Sequence, residues 1–288
     1  MDNLTYDLRC LCQRNKDGSH ATQAERLTNL TMISKQLKSA GFKRMNASSL
    51  KPKHVIYLVE QWQAQNLSIG TIKNRMTHLR WWAEKVGKSS VIPKDNIQLG
   101  IEHRQYVTPE NKAKHIADDA LTQITDSYVR MSLILQQTFG LRREECIKFQ
   151  PAYADKGDHL LLKGSWTKGG RQRIVPILTQ HQRDILNQIH HFAGKGSLIP
   201  ANKSYIQQRN TYDGQCQKVG LNKMHGLRHA YAQTRYETLT GWKSPKAGGL
   251  TSKELTPEQQ IKDQWARQVI SRELGHERIE VVAVYLGG

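Results

Sequence analysis

Apolar residues recur at helical spacing through most of the first hundred positions. The pattern predicts one helix from Ala21 to Lys38, another from Lys53 to Gln65, and a third that begins near Ser68. The second helix should bury one face, formed by Val55, Ile56, Val59 and Trp62. The third should bury a stripe, formed by Ile72, Met76, Leu79, Ala83 and Val86. The pattern therefore predicts a helical domain over residues 1–87.

Helical periodicity is lost over residues 88–112, where Pro93, Pro109 and glycine or serine breaks indicate a linker. A helical pattern then resumes through Leu121, Ile124, Tyr128, Met131 and Leu135. Short strands at His159–Leu162 and Arg173–Ile177 should flank a turn, and helices dominate again afterwards. We therefore predict a second domain over residues 113–288, and a mainly α fold with a small β-sheet (α+β).

Positive charge is in large excess along the chain. Lys and Arg number 43 against 25 Asp and Glu, which gives a formal net charge of +18. Residues 1–105 hold 17 basic against 8 acidic side chains, and the remainder holds 26 against 17, so each part has a surplus of nine. An excess of this size is typical of proteins that bind polyanions, although a solvated basic surface would give the same count.

Other features of the composition limit the cellular setting. The chain has no run of eighteen apolar residues and no apolar signal core near its N-terminus, so we expect no membrane partner and a bacterial cytoplasmic or nucleoid location. The four cysteines are too scattered for a disulfide framework or a zinc finger, and we expect reduced thiols.

Six residues suited to attack on a phosphodiester occur in order in the second half of the chain: Arg142, Lys168, His225, Arg228, His276 and Tyr285. Displacement at phosphorus spreads negative charge over the non-bridging oxygens, and two guanidinium groups can clamp one phosphate from both sides. A lysine can protonate the departing oxygen, and histidines can accept the proton of a tyrosine hydroxyl. These residue types predict a site at which a protein hydroxyl attacks phosphorus.

Four local strings contain these residues: GLRREE at 140–145, TKGGRQRIVP at 167–176, HGLRH at 225–229 and LGHERIEVVAVY at 274–285. Each alone has an ordinary reading, as a helix boundary, a hairpin, a capped helix or a buried apolar segment. The histidine pair of HGLRH also has the spacing of a helical zinc pair, but no glutamate follows His225 as in HExxH. In their order, the four strings resemble the tyrosine recombinase (phage integrase) family.

The resemblance implies a role for each matching residue. Arg142 and Arg228 would be the two catalytic arginines, Lys168 the β-hairpin lysine, and Tyr285 the nucleophile. The same pattern gives His225 and His276 catalytic roles. It also implies accessory roles for Glu145 as a carboxylate and for His229 as a supporting residue. The basic residues expected to contact DNA are Lys73, Arg75, His78 and Arg80 in the third helix, and Arg171 and Arg173 in the hairpin.

The resemblance further implies a SAM-like helical core-binding domain, followed by a mixed α/β catalytic domain. The implied reaction is DNA cleavage and rejoining through a 3′-phosphotyrosyl bond, which needs no cofactor and no metal. The implied partners are double-stranded DNA and three further copies of the chain in a homotetramer on synapsed DNA. The resemblance also allows an accessory DNA-bending protein as a partner. The free protein would be a monomer or weak oligomer. A mobile-element integrase is the implied biological role.

Three features depart from the family pattern. The step from Arg228 to His276 is 48 positions, longer than usual, and suggests a polar inserted surface loop near residues 237–260. Val282 and Gly287 stand where threonine and histidine are common. Relatives commonly continue past the tyrosine into a segment that docks on a neighbouring protomer. The chain is therefore expected to be truncated, or to assemble through another surface.

Several other functions use related residues. A type IB topoisomerase or a telomere resolvase would need nearly the same site, so the sequence does not separate them from a recombinase. A metal-dependent relaxase also uses tyrosine, but the adjacent His190 and His191 do not have the spacing of cation ligands. A DNA-binding regulator with the same fold and no activity is the alternative from a different class.

Overall fold

The computed structural model describes residues 2–276 and 278–288. The chain forms two compact units, residues 1–105 (unit 1) and residues 106–288 (unit 2). The division between them falls inside the predicted linker. The described residues are mainly helical, with one two-stranded antiparallel sheet, in agreement with the predicted class.

Unit 1 is a bundle of four helices: α1 (Asn3–Arg14), α2 (His20–Ser39), α3 (Pro52–Ala64) and α4 (Ile69–Lys85). The three predicted helices are confirmed as α2, α3 and α4. Helix α1 was not predicted. Asp2 caps it by accepting a hydrogen bond from the Thr5 backbone N–H, and the helix buries Leu4 and Leu8 against the bundle.

The core of unit 1 contains most of the predicted apolar faces, including Val55, Val59 and Trp62 of α3. Ile56 is different, because 47% of its surface is exposed. Positions 55, 59 and 62 follow one helical stripe, whereas position 56 falls beside the exposed residues Glu60 and Gln63.

Most of the predicted linker packs onto unit 1. Ile92 and Ile101 are buried in the core of that unit. Arg80 donates to the Pro93 carbonyl at 2.9 Å, and Gln63 donates to the Gly100 carbonyl at 2.7 Å. The segment from residue 88 to residue 105 is therefore part of unit 1. Sequence periodicity did not show this, because only isolated apolar residues hold the segment in place.

Unit 2 begins with four helices and a hairpin: α5 (Asp118–Thr122), α6 (Ser127–Phe139), α7 (Arg143–Ile147), α8 (Pro151–Ala154), β1 (His159–Leu162) and β2 (Arg173–Pro176). It continues with α9 (Gln180–Ala193), α10 (Tyr205–Lys218), α11 (Gly226–Thr240), α12 (Pro257–Glu273) and α13 (Ala283–Leu286). The predicted helical run from Leu121 to Leu135 is broken before α6. Helix α5 ends at Thr122, and Asp126 caps α6 by accepting a hydrogen bond from the Val129 N–H at 2.9 Å.

The predicted strands pair as an antiparallel hairpin, in which Leu160 lies opposite Val175 and Leu162 opposite Arg173. Leu160, Leu162 and Val175 are buried on one face, as the alternation of strand side chains requires. The residues between the strands, including Lys168, form the tip. The hairpin therefore carries its basic tip on strands that are fixed to the core of unit 2.

Helix α11 is the most deeply buried helix of unit 2, and it packs against α6 and α12. Arg228 near its beginning contacts the end of α12, whereas Tyr236 near its end contacts Asp263 near the beginning of α12. The two helices are therefore antiparallel. The predicted inserted loop corresponds to the connection Gly241–Thr256, because residues 237–240 belong to α11 and residues 257–260 to α12. Among residues 2–276 and 278–288, no helix is both long and apolar enough to span a bilayer.

Candidate active site

A cleft of about 1000 Å³ in unit 2 brings the predicted residues together. Five of the six predicted residues line it: Arg142, Lys168, His225, His276 and Tyr285. They come from the start of α7, the hairpin tip, the start of α11, the end of α12 and helix α13. The sixth, Arg228, is fully buried and lies 5.9 Å from the centre of the Tyr285 ring.

Arg142 is held by a local cap. Its backbone N–H donates to Glu145 Oε2 at 2.7 Å, and its Nη1 donates to Glu145 Oε1 at 2.9 Å. Glu145 is buried with 1% of its surface exposed. Burial alone would raise the pKa of Glu145, but the neighbouring cations Arg173, Arg228 and Arg142 outweigh it and hold that pKa below its usual value. Glu145 is therefore a carboxylate that fixes Arg142 at the rim of the cleft.

Arg173 does not lie where the sequence suggested. It was predicted to contact DNA, but its side chain is only 4% exposed. Its Nη2 donates to Glu145 Oε2 at 2.5 Å, and its Nη1 donates to the Leu274 carbonyl at 2.7 Å. This corrects the expectation of an exposed DNA contact: the guanidinium is paired with a buried carboxylate and a carbonyl, although Arg173 still lines the cleft. Side chains alternate between the two faces of β2, so Arg173 is buried whereas its neighbour Ile174 is exposed.

Three arginines share one backbone acceptor at the end of α12. The Leu274 carbonyl accepts from Arg173, from Arg142 Nη2 at 3.3 Å and from Arg228 Nη2. Arg228 also donates to the Gly140 carbonyl at 2.6 Å. Burial and the nearby Arg173 and Arg142 lower the pKa of Arg228 to about 10, so it remains a cation at neutral pH. The backbone carbonyls of Gly140 and Leu274, which belong to two different segments, thus position the arginines.

Gly275 adopts a left-handed backbone conformation beside these arginines. Its φ is +64°, and a Cβ added there would lie 2.6 Å from Arg173 Cδ. A side chain would be strained by the backbone conformation and would also displace Arg173. The glycine of the LGH string therefore lets the chain turn from α12 towards His276 beside the arginines.

Tyr285 is buried among the apolar residues of α11 and α12, with 4% of its surface exposed. Its hydroxyl lies 3.3 Å from His225 Nε2. Its ring centre lies 4.5 Å from that of His229 and 5.5 Å from that of His276. A tyrosine hydroxyl at the edge of a cationic cleft, with a histidine nitrogen as its partner, is an arrangement suited to a nucleophile.

The three histidines around Tyr285 are held neutral. Burial, with the neighbouring cations, lowers the pKa of His225 to about 4 and that of His276 to about 3. Burial and His225 lower the pKa of His229 to about 4. A neutral imidazole keeps one nitrogen free to accept a proton or a hydrogen bond. Among the described residues, His276 Nε2 is buried and has no hydrogen-bond partner.

Two family profiles match the chain. Residues 1–92 match the profile described as phage integrase, N-terminal, and residues 104–234 match the profile described as integrase. Together these matches cover well over half of the sequence. The chain belongs to the phage integrase family. The second match ends before His276 and Tyr285, so the assignment of these two residues depends on the local string and on the cleft geometry.

Solved structures support the phage integrase fold. The XerH site-specific recombinase bound to difH substrate is 14% identical, with a TM-score of 0.55 over 98% of this chain and 80% of that chain. The Tn1549 transposon integrase in complex with circular intermediate DNA is 12% identical, with a TM-score of 0.56 over 100% and 96%. A lambda integrase tetramer bound to a Holliday junction is 12% identical, with a TM-score of 0.61 over 97% and 76%. No curated protein sequence matches the chain.

Several cations around the cleft of this phage integrase family member were not predicted. Arg272 and Arg278 line the cleft together with Lys168 and Arg171 of the hairpin tip. Lys168 is exposed, and it precedes Gly169 and Gly170, which both have positive φ. Arg272 and Arg278 flank the LGH string in sequence, and a count of charges close to that string would have identified them.

The basic face predicted on α4 of unit 1 is only partly available. His78 is buried, and Arg80 donates to Asn96 Oδ1 at 2.8 Å as well as to the Pro93 carbonyl. The Arg75 guanidinium lies 5.3 Å from the Trp62 ring centre. Lys73 and Arg75 are half-buried. The structure therefore contradicts an exposed role for His78, because that side chain packs inside the helical bundle.

The departures from the family pattern also have structural positions. Val282 is fully buried beside Tyr285, and Gly287 follows the tyrosine helix with a φ of +87°. His190 Nε2 lies 3.0 Å from Asp155 Oδ2, which also pairs with Arg183. His190 is thus part of an ion-pair cluster outside the cleft.

The neutral histidines predict a pH dependence of stability. The unfolded chain binds protons on histidine near pKa 6.5, whereas folded His225, His229 and His276 bind them only at about 4, 4 and 3. Below pH 6.5 the unfolded state therefore holds more protons, and the free energy of unfolding falls as the pH is lowered towards 4. Urea unfolding between about pH 7 and about pH 5 measures this slope.

A single substitution provides the control for that slope. His54 and His78 of unit 1 also have lowered pKa values and act in the same direction, so parent and variant must be compared. We expect His229→Gln to reduce the pH dependence of the urea midpoint. An unchanged slope in His229→Gln would show that His229 titrates alike in the folded and unfolded states.

Proposed function

We propose that the protein is a site-specific DNA recombinase that cleaves and rejoins DNA through a 3′-phosphotyrosyl intermediate on Tyr285. The observation that carries this proposal is the Tyr285 hydroxyl 3.3 Å from His225 Nε2, at a cleft lined by Arg142, Lys168 and His276. In the proposed step the phenolic oxygen bonds to phosphorus, and the bond from phosphorus to the 5′ oxygen breaks. The free 5′ hydroxyl of another strand then attacks the phosphotyrosine and releases Tyr285.

The residues in and beside the cleft provide a proton acceptor, a proton donor and cations for this step. Neutral His225 has a nitrogen that can accept the tyrosine proton, and the incoming phosphate adds negative charge that raises the pKa of His225 from its value in the free protein. Lys168, at the exposed hairpin tip, would protonate the departing 5′ oxygen. Arg142 and Arg228 would stabilise the charge on the non-bridging oxygens, with Glu145 fixing Arg142. His276 would donate its ring N–H to an oxygen of the same phosphate.

The partner of this reaction would be double-stranded DNA. The net charge of +18 supplies the sequence-independent attraction to phosphates, and such attraction weakens steeply with salt. Lys73, Arg75 and Arg171 are proposed DNA contacts, to which the structure adds Arg272 and Arg278. We also propose a homotetramer on synapsed DNA formed from free monomers or weak oligomers, because lambda integrase is a tetramer on a Holliday junction.

The biological role is proposed as integration or excision of a mobile element in the bacterial cytosol. The support is that the structural neighbours include a transposon integrase and lambda integrase. An accessory DNA-bending protein remains part of the proposal. A topoisomerase or telomere resolvase would share the first chemical step, and the products of the second step separate these activities.

The test is capture of a covalent adduct. The protein would be incubated in EDTA with nicked duplexes that carry the ends of its own element, and a denaturing gel would separate protein–DNA adducts. We expect an adduct whose DNA-bearing peptide contains Tyr285. An adduct on another residue would overturn the assignment of the nucleophile. Tight DNA binding with no adduct on any of these ends would overturn the proposed activity in favour of a regulator.

A further inference from the structure

A largely buried chain of hydrogen bonds links the connection Gly241–Thr256 to the backbone just after Tyr285. Trp242 Nε1 donates to Tyr236 OH at 3.2 Å, and Tyr236 OH donates to Asp263 Oδ1 at 2.6 Å. Arg267 Nε donates to both oxygens of Asp263 at 2.8 and 2.9 Å. Arg267 Nη1 then donates to the Gly287 carbonyl at 2.8 Å. The chain therefore joins α11, α12 and the end of α13.

Each link in this chain has a fixed direction. An indole N–H and a guanidinium only donate, and a carbonyl only accepts. Burial, together with the hydrogen bond to Asp263 and the charge of Asp263, raises the pKa of Tyr236 to about 12, so its hydroxyl keeps its proton and donates. Asp263 accepts from both Tyr236 and Arg267. The direction of each hydrogen bond is therefore set, and the last one places Arg267 Nη1 on the Gly287 carbonyl.

The connection also touches the same backbone directly. A Cβ added at Gly287 would lie 2.9 Å from Pro245 Cβ and 3.2 Å from the Lys246 backbone N. The short helix Pro245–Ala247 thus packs against the end of α13. This contact and the Arg267 hydrogen bond hold the chain within two residues of Tyr285, without using any group that lines the cleft.

Helix α13 depends on such contacts for its position. It spans only the four residues Ala283–Leu286, and a single helical turn is not stable by itself. Its apolar side chains fix its depth in the core, and Gln233 Nε2 donates to the Tyr285 carbonyl at 3.1 Å. Any rotation or sliding of this turn would move the Tyr285 hydroxyl relative to His225.

We propose that Trp242 and Arg267 are positioning residues for the nucleophile, and that the connection Gly241–Thr256 anchors the tyrosine helix. The inference rests on the proposed function, since it assigns these residues to the delivery of Tyr285. This anchoring would give the additional residues between Arg228 and His276 a role in the reaction. Neither residue lines the cleft, so their loss should change the reaction rate and leave the affinity for DNA unaltered.

Two substitutions remove one link each. Trp242→Phe keeps an aromatic ring and removes the N–H, and Arg267→Lys keeps the charge but cannot reach Asp263 and the Gly287 carbonyl in the same geometry. The matched controls are Trp265→Phe, on the exposed side of α12, and Arg235→Lys, whose parent side chain pairs with Glu273. All four proteins would be compared with the parent in single-turnover adduct formation at saturating DNA.

The expected result separates positioning from folding. We expect the rate constant of adduct formation to fall about tenfold in Arg267→Lys and about threefold in Trp242→Phe, with unchanged DNA affinity and unchanged final adduct amplitude. A merely structural role would lower the amplitude, because fewer molecules are folded, and would leave the rate constant alone. Equal rate constants in parent and both variants would overturn the proposal, as would an equal loss in the two controls.

A second measurement does not depend on chemistry. Hydrogen exchange in the peptide that covers residues 282–288 reports how firmly the tyrosine helix is held. We expect faster exchange there in Trp242→Phe and Arg267→Lys than in the controls. Unchanged exchange in both variants would overturn the anchoring itself. Absence of an adduct from the parent protein would instead overturn the proposed function, whatever the exchange shows.

Discussion

Replacement of Tyr285 by phenylalanine is expected to abolish covalent capture of DNA while binding and folding persist. The phenolic oxygen is the only atom removed, and its one hydrogen-bond partner among the described residues is His225 at 3.3 Å. The ring contacts with His229 and His276 remain, so the free energy of unfolding should change by less than about 1 kcal/mol. Adduct formation should fall by more than about 10⁴-fold, because no other hydroxyl replaces the nucleophile.

The measurement compares Tyr285→Phe with the parent on nicked duplexes, by denaturing gel for the adduct and by native gel for the complex. Tyr212→Phe is the matched control, because Tyr212 is also buried but donates to Gln136 in another part of the core. The control should retain capture. Capture by Tyr285→Phe at the parental rate would remove Tyr285 from the chemistry altogether.

The second large effect is expected from Arg228→Lys. The guanidinium of Arg228 donates to the Gly140 carbonyl and to the Leu274 carbonyl from one fully buried position. A lysine has a single nitrogen on a flexible stem and cannot hold both acceptors with the same geometry. The positive charge would remain, but its position relative to the phosphate would not. Adduct formation should therefore fall by about 10²- to 10³-fold, the usual cost of losing one fixed donor to developing charge.

Arg235→Lys provides the comparison on the same helix. Arg235 pairs with Glu273 and does not line the cleft, so its replacement tests the general effect of the exchange on α11. Adduct rates would be measured at saturating DNA, with the urea midpoint recorded for each protein. If Arg228→Lys reacts as fast as Arg235→Lys, Arg228 does not stabilise the phosphate charge.

The sequence predicted those helices and strands that are specified by residues close together in the chain. Helices α2, α3 and α4 follow from apolar periodicity, and the hairpin follows from two short strands about Gly169 and Gly170. Helix α1 was missed, because its buried face has only Leu4 and Leu8 at full depth. The break before α6 was missed because the apolar spacing continues across it, and only the cap at Asp126 identifies the new start.

The positions of several other side chains depend on partners that are distant in the sequence. Arg173 reads as a solvated cation in the sequence, yet its partners are Glu145, 28 positions away, and the Leu274 carbonyl, 101 positions away. His78 was placed on an exposed face because one helix cannot show which sides are covered by its neighbours. The five cleft residues and the buried Arg228 beside them were found by a different route, through their order and local strings. Their mutual distances were not predictable from the sequence.

The antiparallel pairing of α11 and α12 places the proposed reactive groups and the connection Gly241–Thr256 at opposite ends of the two helices. The groups proposed to make and break bonds lie at the beginning of α11 and beyond the end of α12, whereas Gly241–Thr256 joins the opposite ends of these helices, about 20 Å along their length. Lineages can therefore lengthen or shorten this connection without moving Arg228 or His276. Because the connection also contacts the backbone after Tyr285, such changes would shift the tyrosine helix and leave the other proposed groups in place.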